Sequence, residues 1–143
     1  MRSLRAMLVC LLASVPAQAQ TLSGQWCGMA EQTGPGQHRS EWPAIVQLKG
    51  PTGYTEYPSL KCGGTLTFER MEGNVHLYRE RIDYGRDLCL DGGLLGVEPQ
   101  GTSIRYQWTG SDAKANGTLH AHCPQQSPNA RRTPERSIVA DAN

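Results

Sequence analysis

The chain has 143 residues with 14 basic and 13 acidic side chains, and 38% of its residues are hydrophobic. This length suits a single domain with one modest core. The near-neutral charge excludes the strongly basic class of proteins that bind nucleic acid or anionic membranes through charge. We therefore expect no nucleic-acid partner.

Residues 1–20 have the pattern of a secretory signal peptide. Arg2 and Arg5 give a positive start, residues 6–15 form an apolar run, and Ala17-Gln18-Ala19 is a small-x-small cleavage site. The apolar run is too short to span a bilayer. We expect cleavage, export to the periplasm or the medium, and no membrane span. The remaining 123 residues carry 12 basic and 13 acidic side chains.

Cleavage removes Cys10 and leaves four cysteines, Cys27, Cys62, Cys89 and Cys123. An even number of cysteines in an exported chain predicts disulfides, and four cysteines allow three pairings. We favour Cys62 with Cys89, because that bond closes one turn and its neighbouring strands. We pair Cys27 with Cys123, because that bond joins the first and last strands. Each would add on the order of 3 kcal/mol in the loop-entropy model.

From Gly24 onward the sequence predicts short β-strands separated by turns, with no helix. The alternation of apolar and polar residues is clearest where Ile104, Tyr106 and Trp108 alternate with Arg105 and Gln107. The eight predicted strands are 25–29, 44–49, 54–57, 64–70, 74–83, 94–98, 103–109 and 117–122. Such a series of strands predicts an all-β antiparallel up-and-down meander that closes into a small eight-stranded barrel. A two-sheet β-sandwich is the alternative.

The segment around which these strands are arranged is Tyr57-Pro58-Ser59-Leu60-Lys61-Cys62-Gly63-Gly64. Pro58 fixes φ and removes a backbone donor, so it belongs in a turn, and the two glycines permit close backbone approach beside Cys62. We divide the chain into a signal peptide at 1–20, one barrel-like domain at 21–123 and a disordered tail at 124–143. The tail is rich in Pro, Gln, Ser, Asn and Arg, and has little to bury.

Several motifs between Ser23 and Leu119 occur in combination. They are Trp26 with Gly28, the Tyr-Pro-Ser-Leu turn before Cys62-Gly63-Gly64, Glu80 on a strand, Cys89 followed by Asp91-Gly92, and Tyr106-x-Trp108 before Gly117-x-Leu119. This combination resembles a family of small exported bacterial domains with no assigned activity. The layout is also similar to that of lipocalin-like small barrels, including bacterial periplasmic lysozyme inhibitors. No inhibitory loop motif matches, so this likeness implies a layout and no functional residue.

Glu80 and Asp83 form the candidate catalytic pair. Two carboxyls about 5–10 Å apart across a cleft could hydrolyse a glycosidic bond. We favour a structural role for Glu80, in which its carboxylate accepts hydrogen bonds from the glycine-rich turn or pairs with an arginine. Ser59 lacks the Gly-x-Ser-x-Gly motif of a hydrolase nucleophile. We therefore expect no catalytic residues and no enzymatic activity.

The best metal-like cluster is His120 and His122 beside Cys123. On a strand the two imidazoles would share a face, but we expect Cys123 in a disulfide and find no neighbouring carboxylate. We therefore expect no metal and no other cofactor. The aromatic residues either fill a small core or line a ligand cavity. They are Trp26, Trp42, Tyr57, Phe68, Tyr106 and Trp108.

Export, disulfides and a rigid β scaffold favour a non-catalytic binding or inhibitor-like module. It would be a monomer that presents loops or a strand edge to an unknown protein or envelope component. Candidate binding residues are Tyr57, Ser59, Glu80 and Trp108. An alternative is a lipocalin-type carrier of a small apolar ligand, which needs an interior cavity of a few hundred Å3. A third hypothesis is a small hydrolase that uses Glu80 with Asp83.

Overall fold

The computed structural model describes residues 22–33 and 40–124. The predicted signal peptide and nearly all of the predicted tail lie outside the described residues. The described part consists of eight strands and contains no helix. The strands are β1 (Ser23–Thr33), β2 (Ser40–Lys49), β3 (Thr52–Tyr57), β4 (Cys62–Glu72), β5 (Val75–Tyr84), β6 (Leu94–Gln100), β7 (Ser103–Thr109) and β8 (Lys114–His120). Accordingly, no helix within these ranges is long and apolar enough to cross a membrane.

The strands form a closed antiparallel barrel. Each strand pairs with the next along the chain, and β8 pairs with β1, from Cys27 opposite His120 to Thr33 opposite Lys114. The predicted barrel is confirmed, and the sandwich alternative is wrong. Each described strand pairs with two neighbours over part of its length, but β2 before Ile45 and β5 beyond Arg79 have a partner strand on one side only.

The core follows from the period-2 pattern of the strands. In β2, Ala44, Val46 and Leu48 are at most 1% exposed, whereas Ile45 and Gln47, which alternate with them, are only half-buried. In β7, Ile104, Tyr106 and Trp108 point inward, as predicted, and Arg105 and Gln107 are exposed. Burying these apolar side chains away from water is the main source of stability for such a barrel.

The two ends of the barrel differ, and we name them by their connections. The loop end carries residues 58–61, 85–93 and 110–113, together with Thr33 and Ser40, whereas the turn end carries residues 50–51, 73–74 and 101–102. Aromatic side chains fill the turn end. Phe68 packs edge-on against Tyr78 with ring centroids 5.6 Å apart, and the Tyr78 hydroxyl donates to the Gly50 carbonyl at 3.0 Å.

Two disulfides join distant parts of the chain. Cys27 bonds to Cys123 with their Cα atoms 5.2 Å apart, and Cys62 bonds to Cys89 with a Cα separation of 6.3 Å. Both predicted pairings are confirmed. The first bond attaches the chain after β8 to β1, and the second fastens the loop between β5 and β6 to the start of β4. Disulfides of this kind indicate an oxidising compartment.

Several predicted strand boundaries are wrong. β1 and β2 are longer than predicted, and Pro43 lies inside β2, opposite Met29. β3 pairs with β2 only from Ile45 onward, so β2 has one partner at Pro43 and can accommodate a missing backbone donor there. β8 spans Lys114–His120 rather than 117–122, because Ala115 provides an inward-facing residue before Gly117 and Leu119.

Candidate functional site

A cavity of about 260 Å3 lies inside the loop end of the barrel and is partly open to solvent. Its walls are mostly aromatic and aliphatic, with Gln32 and Glu80 as the polar exceptions. The lining residues are Gln32, Trp42, Tyr57, Leu60, Glu80, Ile82, Leu88, Cys89, Leu90, Tyr106 and Trp108. A concave, mostly apolar space with a few polar groups is the usual character of a small-molecule site.

The mouth of the cavity is formed where β5 and β6 separate. These strands pair only from His76 to Arg79 of β5, and beyond that point the loop of residues 85–93 takes the place of β6. The backbone amide of Glu80 donates to the Gly93 carbonyl at 2.9 Å, and the amide of Ile82 donates to the Asp91 carboxylate at 2.8 Å. These bonds satisfy the free side of β5 and hold the loop against the barrel.

The Glu80 carboxyl is the centre of the hydrogen-bond network in the cavity wall. Its Oε1 accepts hydrogen bonds from the Thr55 hydroxyl and, at 2.9 Å, from the Tyr57 hydroxyl. Its Oε2 accepts from Trp108 Nε1 at 2.7 Å. The Tyr57 and Tyr106 hydroxyls lie 3.0 Å apart. Because Tyr57 donates to Glu80, its oxygen can accept from Tyr106, which orders the two hydroxyls in one direction.

The charge state of this network follows from its burial. Glu80 is 1% exposed, and burial raises the pKa of its carboxyl above the usual range, although the three donors act in the opposite direction. Burial also raises the pKa of Tyr57 and of Tyr106. Both phenols are therefore neutral at physiological pH, and Glu80 is the lining residue whose charge can change.

The partners of Glu80 differ from those predicted. The sequence predicted a structural carboxylate that accepts hydrogen bonds from the glycine-rich turn or pairs with an arginine. The acceptor role is correct, but the donors are side chains of β3 and β7. Gly63 and Gly64 instead lie where the backbone of β4 approaches the strands on either side. Arg79 and Arg81 project to the outer surface, where they pair with Glu69 and Asp83.

The indole of Trp108 is held between two glycines. A Cβ atom added to Gly93 would overlap its Nε1 and Cε2 atoms, and one added to Gly110 would overlap the far edge of its ring. Glycine at these positions leaves room for the indole to lie against the backbone and reach Glu80. Gly93 therefore positions a wall of the cavity.

We expect Gly93→Ala to lower the free energy of unfolding by about 2 kcal/mol, because the added methyl group displaces Trp108 from Glu80. The adjacent Gly92→Ala is the control. Gly92 has φ +77° and open space around it, so its cost is limited to backbone strain of about 1 kcal/mol. Urea denaturation, followed by tryptophan fluorescence, measures both values. Equal losses with an unchanged native spectrum would contradict this role of Gly93.

The structure brings together three of the four predicted binding residues. Tyr57, Glu80 and Trp108 line the cavity, whereas Ser59 is exposed in the turn of residues 58–61 and does not line it. Of the six predicted aromatic residues, Trp26 and Phe68 also lie outside the lining and pack against the core.

The predicted carboxylate pair is not assembled. Glu80 points into the barrel, whereas Asp83 lies on the outer surface, where it accepts hydrogen bonds from Thr65 and Arg81. Residues three apart on a strand face opposite sides, so the two carboxyls do not share a cleft. This geometry gives the hydrolase hypothesis no support.

The histidine cluster is also not assembled as predicted. His120 ends β8 and is exposed, His122 lies beyond the strand, and Cys123 is in a disulfide. Within residues 22–33 and 40–124, no group of three histidine, cysteine or acidic residues could hold a metal ion.

Sequence reasoning missed the leucines at the cavity mouth. Leu88 and Leu90 flank Cys89 and are 57% and 49% exposed. The sequence did contain a signal for these residues, because two leucines flank a cysteine in an otherwise polar loop. The sequence marks Trp42 only as one of six aromatic residues and does not mark Gln32 at all.

One polar group in the cavity wall has no partner. Trp42 is 8% exposed, and its Nε1 is buried without a hydrogen-bond acceptor in the described part of the chain. A buried indole N–H normally finds an acceptor. The Trp42 N–H is therefore an unsatisfied donor in a residue that lines the cavity.

No protein-family model matches the chain. No curated protein matches it significantly. The resemblance to small exported bacterial domains and to lipocalin-like barrels stays a prediction, and the function must be argued from the cavity.

Proposed function

We propose that the chain is a non-catalytic exported binding protein that holds a small molecule in the cavity at the loop end. The observation that carries this proposal is the cavity itself, about 260 Å3 of space inside a barrel. A filled interior would have argued against a carrier. Instead, the wall of the cavity at the loop end combines apolar surface with the buried Glu80 carboxyl.

The size of the cavity sets the size of the ligand. An apolar cavity of about 150 Å3 holds benzene, so about 260 Å3 suits a molecule of roughly ten non-hydrogen atoms. Drug-sized ligands usually occupy about 300–1,000 Å3. The proposed ligand is therefore a compact molecule rather than a long lipid.

Two connections at the loop end support one shared site. Thr33 and Ser40, which flank residues 34–39, lie at the same end of the barrel as the loop of residues 85–93. Gln32 and Leu88 line the same cavity. With the signal-peptide pattern and two disulfides, this arrangement favours a protein that works in the periplasm or the medium.

A protein partner is the second candidate, favoured by the exposed leucines of the mouth. Tyr84, Leu88 and Leu90 are each about half exposed, and an inhibitor-like module could dock through them. Such a partner would cover the mouth without needing the space behind it. A change that fills the cavity would therefore leave its binding intact, which separates the two candidates.

The test uses Leu60→Trp, which adds an indole at the cavity wall, and Tyr54→Trp as a control on the outer surface of β3. Tyr54 is 45% exposed and does not line the cavity. Binding of a panel of compact aromatic and aliphatic compounds to the oxidised protein is measured by isothermal titration calorimetry. We expect saturable binding that Leu60→Trp weakens at least about tenfold and Tyr54→Trp leaves unchanged. No saturable binding, or equal binding by Leu60→Trp, would contradict the proposal.

A further inference from the structure

We propose that the ligand is a compact organic cation of the ammonium class, bound beside Glu80 within the aromatic walls of the cavity. This inference rests on the proposed function and names the chemical class of its ligand. It is carried by three features of the cavity wall: an acid without a basic partner, a set of aromatic side chains, and a spare donor.

The first feature is the charge of the wall. Glu80 is buried, lines the cavity, and has no lysine or arginine partner among the described residues. The two arginines nearest to it in sequence, Arg79 and Arg81, are paired on the outer surface. Burying a carboxylate is costly unless a cation compensates it. A cationic ligand would supply that charge from the cavity.

The second feature is the aromatic lining. Trp42, Tyr57, Tyr106 and Trp108 surround the space beside Glu80. Aromatic walls around a carboxylate are the composition of sites that bind ammonium groups, because the negative face of each ring attracts the cation. The hydroxyls of Tyr57 and Tyr106 are directed along the chain of hydrogen bonds toward Glu80. Both hydroxyls are neutral, so neither one neutralises the charge of Glu80 in place of a cationic ligand.

The third feature is the unpartnered donor. Trp42 Nε1 is buried, and no described residue accepts a hydrogen bond from it. An oxygen on the ligand would give this N–H the acceptor that the described residues do not supply. A neutral hydrocarbon would leave Trp42 unsatisfied, which costs binding energy. The geometry therefore points to an amine that carries an oxygen acceptor.

The test compares cations with neutral molecules of the same shape. Choline is paired with 3,3-dimethylbutan-1-ol, and benzylammonium is paired with benzyl alcohol. Dissociation constants for the oxidised protein are measured by isothermal titration calorimetry. We expect each cation to bind at least about tenfold more tightly than its neutral partner, because the ring faces and Glu80 attract only the cation.

Glu80→Gln and Glu69→Gln form the matched pair of variants. Glu80→Gln removes the acidic group from the cavity wall and is expected to reduce the ratio of the two dissociation constants clearly, leaving only the preference that the ring faces supply. Glu69 lies on the outer surface and pairs with Arg79, so Glu69→Gln is expected to keep the wild-type ratio. The wild-type comparison stands by itself if Glu80→Gln does not fold.

Three outcomes separate this inference from the proposed function. Neutral alcohols that bind as tightly as the cations would overturn the inference and leave the small-molecule function in place. If other neutral compounds from the panel bind and none of the four probes does, the inference is also overturned and the small-molecule function stays in place. If neither the probes nor the panel binds, both proposals are wrong.

Discussion

Glu80→Leu is expected to lower the free energy of unfolding by about 4 kcal/mol, because it leaves buried donors without their acceptor. Thr55, Tyr57 and Trp108 all donate to Glu80 and are each less than 10% exposed. The two hydroxyls can turn toward other acceptors, but the indole N–H of Trp108 cannot. Urea denaturation with the disulfides intact measures this loss.

Two further variants separate the acceptor role of Glu80 from its charge. Glu80→Gln keeps a carbonyl oxygen for Trp108 and presents its amide to hydroxyls that can accept, so we expect a loss of only about 1 kcal/mol. Glu69→Leu, on the outer surface of β4, breaks exposed ion pairs with Arg70 and Arg79, which water screens, so it should be much less destabilising than Glu80→Leu. If Glu80→Leu were no more destabilising than Glu69→Leu, the network would not hold the loop end together.

Removing both cysteines of the Cys27–Cys123 bond is expected to cost about 4–5 kcal/mol in the loop-entropy model. This bond spans 96 residues, whereas the Cys62–Cys89 bond spans 27. The bond that closes the longer loop restricts the unfolded chain more. Removing the Cys62–Cys89 bond should therefore lower the free energy of unfolding by about 1 kcal/mol less than removing the Cys27–Cys123 bond. Alanine pairs at each bond, compared by urea denaturation, give the two values.

The same two variants should differ in the opposite order for ligand binding. Cys89 lines the cavity between Leu88 and Leu90, so removing its bond to Cys62 releases the loop that forms the mouth. Neither Cys27 nor Cys123 lines the cavity. We expect the Cys62→Ala, Cys89→Ala protein to bind more weakly and the Cys27→Ala, Cys123→Ala protein to bind as the wild type does. The reverse order of binding would contradict a site at the loop end.

Much of the fold could be predicted because it depends on local patterns. Alternating side chains, as in Ile104, Tyr106 and Trp108, identify strands wherever one face is buried. Tight turns between successive strands then indicate a meander, and eight strands curl until the first meets the last. That closure places Cys27 near the end of β8, which is why the pairing of Cys27 with Cys123 could be predicted.

The site could be predicted only in part because it depends on register. Glu80 contacts Thr55, Tyr57 and Trp108, which lie 25, 23 and 28 residues away in sequence. Shifting one strand by a single residue would turn each of its side chains to the other face. The sequence could therefore mark Glu80 as unusual but could not choose its partners. Position along the barrel separates Trp42, which lies opposite Ala30 and lines the cavity, from Trp26, which lies opposite Val46 nearer the turn end.

The most direct test of a small-molecule site at the loop end uses the three tryptophans of the chain. Trp42 and Trp108 line the cavity, whereas Trp26 lies outside its lining. The indole N–H resonances of the oxidised, 15N-labelled protein are followed while choline or a neutral panel compound is added. We expect the Trp42 and Trp108 resonances to shift saturably and that of Trp26 to stay in place. Equal shifts of all three, or no shift of Trp42 and Trp108 with any compound, would contradict binding in this cavity.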